Sequence, residues 1–216
     1  MQMAGVLTLV QLIMLGYELC GTYSLPNPND MQVPVSGFYK RPALTSKKKL
    51  EAFLARLPNV IGHKKALRAL HYILDGSASP METNLTMLLS LPPKMGGYGF
   101  ALPKLNVRID LPKPARMEIG KAFLVCDLFW LEHNIAVEYD SNIHHTGPKR
   151  IAEDSKRRNY LTSIGIKTIV VTSEQIKDVT SLEAVSRLLA GNMGRRMRHK
   201  NTNYIAARQE LRRQLA

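Results

Sequence analysis

The sequence predicts an α/β protein: a mixed sheet with helices on its faces, beside a small, mainly helical N-terminal unit. Two observations carry this prediction. Three strand-like runs, at 105–111, 122–130 and 134–139, follow one another across short gaps, which favours hairpin pairing. A helical stretch at 149–163 then separates them from a fourth run, K-T-I-V-V-T at 167–172, and a strand–helix–strand crossover sets its strands parallel.

Each element has its own local reason. The apolar run at 4–13 lacks a positive leader, carries Gln11 and meets Tyr17 and Glu18 before a span is complete, so it reads as a buried helix or strand. Residues 22–42 are rich in Pro, Asn and Ser and read as loop. A helix at 46–57 sets Leu50, Phe53, Leu54 and Leu57 on one face. A second, at 63–74, does the same with Ala66, Leu67, Leu70, Ile73 and Leu74, and Asp75-Gly76-Ser77 ends it. Ser79, Pro80 and Glu82 fit the N-cap, N1 and N3 positions of a third helix, which stops at Pro92-Pro93. Gly96-Gly97 marks a loop before the strands. After the fourth strand, a capping box at Thr180 and Glu183 opens a last helix that closes at Gly191. The expected division is a helical unit at 1–76, an α/β core at 77–191 and a basic extension, partly helical at best, at 192–216.

Charge narrows the function. The chain of 216 residues carries 30 Lys and Arg against 17 Asp and Glu, a net of +13, and its first 39 residues contain no Lys or Arg. Residues 147–216 hold 15 basic and 6 acidic side chains. That asymmetry favours a nucleic-acid partner, DNA with RNA as the alternative polyanion, with an acidic membrane surface as the lesser possibility; the expected partner is DNA and no membrane, and a homodimer or a partner protein stays open. Two cysteines, Cys20 and Cys126, are too few for a disulfide framework, so a cytoplasmic setting is expected. There is no phosphate-binding G-x-x-x-x-G-K-[ST] loop, no G-x-S-x-G elbow and no C-x-x-C pair.

The chemistry concentrates between Cys126 and Arg158. Asp127 interrupts the apolar run F-L-V-C-D-L-F-W, where an acid is expensive unless paired. Glu138 and Asp140 alternate with Val137 and Tyr139, so both acids share one strand face and invite a cation, although Asp140 also suits a cap on the following turn. Strands joined by a tight turn can aim Asp127 and Glu138 at one point, enough protein carboxylate for Mg²⁺ or Mn²⁺, with the Tyr139 carbonyl as a third oxygen. His144 and His145 are adjacent, so on an extended chain only one can face the site, as a base or phosphate contact. Asp154, Arg157 and Arg158 fall at i, i+3 and i+4 of a helix, either as a surface ion-pair cluster or with Arg157 on a phosphate. Arg158, Arg195, Arg196, Arg198 and Lys200 are further candidate phosphate contacts. Glu82 is accounted for by capping alone.

The run V-C-D-L-F-W-L-E-H-N-I-A-V-E-Y-D-S-N-I-H-H, continuing to D-S-K-R-R-N-Y-L-T-S-I-G-I-K-T-I-V-V-T, resembles the PD-(D/E)xK nuclease superfamily. Within it, the similarity is to the branch of very-short-patch repair endonucleases and related uncharacterised proteins, some linked to abortive-infection antitoxins. It spans residues 77–190. The resemblance implies a restriction-endonuclease-like core and a metal-dependent endonuclease acting on DNA. Glu82, Asp127 and Glu138 match its acids, Asp154 and Arg157 its D-x-x-R pair, and Gly165 its helix-to-strand turn. The superfamily's lysine falls at position 140, where this chain has Asp140; the repair-endonuclease branch also lacks that lysine and uses histidine, which His144 or His145 would supply. Ser141 stands where the uncharacterised relatives have Gly. The rival implication is a catalytically inactive DNA-binding or antitoxin-type regulator that keeps the fold.

Overall fold

The computed structural model describes residues 2–27, 29–57, 60–140, 148–197 and 202–216. It divides into two compact units, Met1–Leu102 together with Lys200–Ala216, and Pro103–His199. Among the described residues no helix is long and apolar enough to cross a membrane.

The first unit is mainly helical. A short helix α1 (Gln2–Val6) leads into α2 (Leu9–Cys20), so the apolar N-terminal run is helix rather than strand. Thr8 caps α2: its hydroxyl accepts the Gln11 N–H at 3.1 Å, and the Gln11 carboxamide accepts the Thr8 N–H at 3.0 Å. Ile13 and Tyr17 on α2 are fully buried. Gly16 lies so close to the next layer that a Cβ there would fall 2.1 Å from Ile73 Cδ1, which excludes any larger residue without movement. Two short strands, β1 (Tyr23–Ser24) and β2 (Tyr39–Lys40), pair antiparallel within the segment read as loop. Next come α3 (Lys47–Ala55), capped by Ser46, and α4 (His63–Tyr72). In α5 (Pro80–Ser90) the expected cap is present: Ser79 Oγ accepts the Glu82 N–H at 3.2 Å. Leu85, Met87, Leu88 and Leu89 are buried along that helix.

The second unit is the α/β one. β3 (Lys104–Asp110) and β4 (Phe123–Trp130) are antiparallel and joined through α6 (Lys113–Ile119). β5 (Ile135–Asp140) pairs antiparallel with β4, after a tight turn that Asn134 completes at φ +51°. Helix α7 (Pro148–Ser163) then crosses over to β6 (Lys167–Thr172), which is parallel to β5 from Ile135↔Lys167 to Asp140↔Thr172. The strand order β3-β4-β5-β6 is therefore the mixed sheet that the hairpin runs and the helical crossover predict. Two helices follow, α8 (Ser173–Lys177) and α9 (Val179–Asn192). The cap of α9 is Asp178 rather than Thr180; its carboxylate accepts the N–H groups of Thr180 and Ser181 at 2.8 and 3.0 Å. An aspartate two residues upstream reaches those donors as well as a hydroxyl does, and adds a favourable charge at the helix start.

The end of α7 fixes how that helix meets the sheet. Gly165 takes φ +80°, its N–H bonds Thr162 O at 3.0 Å, and the Ile166 N–H bonds Leu161 O at 2.9 Å. This is a Schellman closure, and Leu161 and Ile166, the two residues it brings together, are both buried in a core with Leu111, Cys126, Phe129 and Ala136.

Within residues 192–216, read in the sequence as a basic extension, Thr202–Leu215 forms α10, which belongs to the first unit. Tyr204, Arg208, Leu211 and Leu215 are buried along one stripe of it. The Arg208 guanidinium lies 4.3 Å from the ring centre of Tyr98 and 4.7 Å from that of Tyr204, so stacking keeps this buried cation. The backbone of α10 rests against Gly96, which has φ +91° and where a Cβ would fall 2.3 Å from Ala207 O. Gly96 is thus a seat for a helix as well as part of a turn.

Replacing Leu161 with Ala removes the residue that α7 buries most deeply in the sheet core, and should cost about 2–5 kcal/mol. Urea unfolding followed by the fluorescence of Trp130, the single tryptophan, measures this; a loss below about 1 kcal/mol would mean that α7 does not pack as described.

Candidate functional site

The register of β4 and β5 builds the site. Their ladder runs through Trp130↔Ile135, Phe129↔Ala136 and Leu128↔Val137 and stops there. Continued one step further it would set Asp127 opposite Glu138. Instead the strands part: β4 goes on alongside β3, and β5 alongside β6. The Tyr139 N–H, no longer used by the ladder, is taken by Asp127 Oδ2 at 2.8 Å. A side chain thus completes the pairing that the backbone abandons.

Helix α7 closes the gap between the parting strands. Arg157 donates one guanidinium nitrogen to Glu138 Oε2 and another to the Val125 carbonyl, so one side chain joins β5 to β4 beyond the last backbone pair. Arg rather than Lys suits this task, because its planar fork bonds two acceptors at once. The D-x-x-R spacing puts Asp154, Arg157, Arg158 and Leu161 at i, i+3, i+4 and i+7 on α7, and all four line one cavity of about 230 Å³. The sheet contributes Asp127, Glu138, Asp140 and Thr168 to the same cavity.

Two polar atoms here are buried without a hydrogen-bond partner among the described residues, Glu138 Oε1 and Thr168 Oγ1. Glu138 as a whole is only 7% exposed. An ionised carboxylate with one oxygen left bare in such a place is costly. Burial accordingly pushes the Glu138 carboxyl above the usual range, more than the Arg157 guanidinium pulls it down, and the nearby Asp127 charge adds to the rise. Asp127 is also raised, again by burial, against the opposing pull of the Tyr139 N–H and Arg157. Burial drives the Cys126 thiol up to about 11, so a thiolate is not part of this site's chemistry at neutral pH.

Sequence reasoning anticipated much of this constellation. Asp127, Glu138, Asp140, Arg157 and Arg158 come together as cavity residues. Arg157 pairs with Glu138, whereas Asp154 makes no ion pair among the described residues, so the anticipated cluster on the helix surface does not form through that acid. Glu82 belongs to the first unit, where its Oε2 accepts the Ala78 N–H at 2.9 Å and its Oε1 the Ser79 hydroxyl at 3.1 Å, an assignment that accounts for its position by capping. Arg195 and Arg196 are exposed just after α9. His144, His145, Arg198 and Lys200 lie outside the described residues. Two participants went unread: Thr168, whose signal was a lone hydroxyl in the apolar strand K-T-I-V-V-T, and the Val125 carbonyl, a backbone group with no sequence signal.

Among the described residues no group of three or more His, Cys, Asp or Glu side chains is placed to hold a metal ion. Asp127 and Glu138 form a pair instead, and Mg²⁺ needs no more than one or two protein carboxylates because it keeps several waters. The bare Glu138 Oε1 and the second oxygen of Asp127 are the oxygens such an ion would have to use.

Arg157→Ala should leave Glu138 buried and unpaired and lower stability by roughly 3 kcal/mol in urea unfolding, with a smaller deficit at acid pH, where Glu138 is neutral. Asp127 supplies a second test. A carboxyl whose pKa is raised on folding binds its proton more tightly in the folded chain, so stability falls as pH climbs from the ordinary carboxylate range through the raised value. Asp127→Asn, which keeps an acceptor for the Tyr139 N–H, should flatten that fall in unfolding midpoints taken between about pH 4 and pH 8; an unchanged slope would contradict the raised value.

Set beside known proteins, the chain has no matching protein-family model, no similar curated protein and no similar solved structure.

Proposed function

We propose that this chain is a Mg²⁺- or Mn²⁺-dependent nuclease that hydrolyses phosphodiester bonds in DNA, with Asp127 and Glu138 at its centre. The observation that carries the reading is the cavity where two strands part: it gathers two desolvated carboxylates, two arginines and a buried carboxylate oxygen without a hydrogen-bond partner among the described residues. A divalent cation held by Asp127 and Glu138 would neutralise charge at phosphorus and lower the pKa of a bound water. Arg158 is exposed at the rim and suits a backbone phosphate, while Arg157 holds Glu138 in place. Asp140 lines the same cavity and would orient a histidine, His144 or His145, as the group that takes or returns a proton. The exposed Arg195 and Arg196 extend the basic surface and would make affinity fall with salt. Within the second unit, the antiparallel strands β3 to β5, the α7 crossover to a parallel β6 and the helices after it are compatible with a restriction-endonuclease-like core, and the resemblance of residues 77–190 supports the same choice.

One observation favours a second reading. Arg157 already neutralises Glu138, as a protein cation does in a site that has lost its metal. On that view the chain is a non-catalytic DNA-binding or antitoxin-type regulator. Incubation of supercoiled plasmid with the protein and Mg²⁺ or Mn²⁺ separates the two. The nuclease reading expects nicking that drops at least about 100-fold in Asp127→Ala. Equal cleavage by both proteins sinks the proposed site, and salt-sensitive duplex binding without cleavage selects the regulator.

A further inference from the structure

The first unit carries an apolar groove that the nuclease reading does not use. It is lined by α2, α3 and α4, with Leu12, Leu15, Leu50, Phe53, Ala66 and Leu70 among its walls, and encloses about 210 Å³. Phe53 is 52% exposed and Met3, at one end, 48%, so large apolar side chains face solvent beside the opening. Such a patch on a folded unit marks a contact surface.

Charge says what fits it. The α2 wall carries no Lys or Arg, whereas the segment from Lys47 to Arg68 has seven, Lys47, Lys48, Lys49, Arg56, Lys64, Lys65 and Arg68, against one acid, Glu51. None of the seven makes an ion pair among the described residues. Lys49, Phe53 and Arg56 follow one another at i, i+4 and i+7, so two exposed, unpaired cations flank the most exposed aromatic of the groove. A nucleic acid would use the cations but leave the apolar walls wet. A second copy of this unit would set cations against cations. An apolar groove whose exposed aromatic is flanked by cations is complementary to a helix whose one face is apolar and whose other face is acidic.

We propose that the α2–α3–α4 groove docks an acidic amphipathic helix of a partner protein, with the partner's apolar residues in the groove and its carboxylates on Lys49 and Arg56. The test uses the full chain and labelled synthetic peptides of about 18 residues with leucines at i, i+3, i+4 and i+7. One peptide carries Glu on its polar face, a second Lys, and a third keeps Glu but has Ser in place of Leu. Fluorescence anisotropy should show binding of the first alone, weakened by added salt. Phe53→Asp, whose side chain is half in solvent, should weaken it at least about tenfold with an unchanged circular dichroism spectrum. The double reversal Lys49→Glu with Arg56→Glu should weaken the Glu peptide and admit the Lys peptide, an exchange that unfolding could not produce. Equal binding of the Glu and Lys peptides, no effect of Phe53→Asp, or no peptide binding at all overturns the proposal. So does a dimer in light scattering that Phe53→Asp abolishes, or duplex DNA binding lost on the double reversal when the Glu peptide fails to bind.

Discussion

Arg157 is the residue on which the α/β unit and its cavity both depend. A sheet whose strands diverge leaves backbone groups without partners and a wedge of space between them. Water, a side chain or a ligand must fill that wedge. Here one guanidinium reaches across it, to a carboxylate on β5 and a carbonyl on β4, while Asp127 takes the amide that the ladder releases. The same contacts that repair the sheet also assemble the acids, so stability and chemistry are written in the same few atoms. Burial raises both carboxyls, and the arginine only partly compensates. A residue that balances two buried acids is hard to replace: without it, the sheet retains the desolvation cost and loses the attraction that offset it.

How far the sequence disclosed all this varied by element, for physical reasons. β6 was legible to the residue, because an apolar β-branched run bounded by Gly165 and a helix start permits little else. Asp127 and Glu138 stood out because an acid in an apolar strand demands an explanation. Helix α6 went unread between two strand runs: prolines and a glycine in and around seven residues give no helical stripe, yet Pro at the first turn and Gly at the end are what a short helix tolerates. Helix α10 was underread because its buried stripe includes an arginine. Periodicity counts apolar side chains, and Arg208 is buried by stacking between two tyrosines rather than by being apolar. The link from Arg157 to Val125 could not have been read at all, since every residue has a carbonyl.

The two units distribute charge in different ways. In the α/β unit, charge is drawn inward, where opposite signs meet in a cavity and shift one another's proton affinity. In the helical unit the cations of α3 and α4 lie towards solvent, and the two charges buried among its described residues are kept apart, Glu82 in a helix cap and Arg208 between two tyrosines. Net charge alone, a single number for the whole chain, concealed that difference. The position of each cation relative to acids and apolar walls carries that difference.

The seat of α10 on Gly96 has a consequence for synthesis. The chain leaves the first unit at Leu102 and returns to it only at Lys200. On a ribosome adding about 5–20 residues per second, the roughly one hundred residues between take on the order of 5–20 s to appear. Throughout that interval the glycine shelf and its neighbours stand uncovered, while the α/β unit has everything it needs to fold. The helical unit thus receives α10 only after the α/β unit has been made, and a chain stopped before Thr202 would carry a whole α/β unit beside a helical unit whose Gly96 shelf is bare.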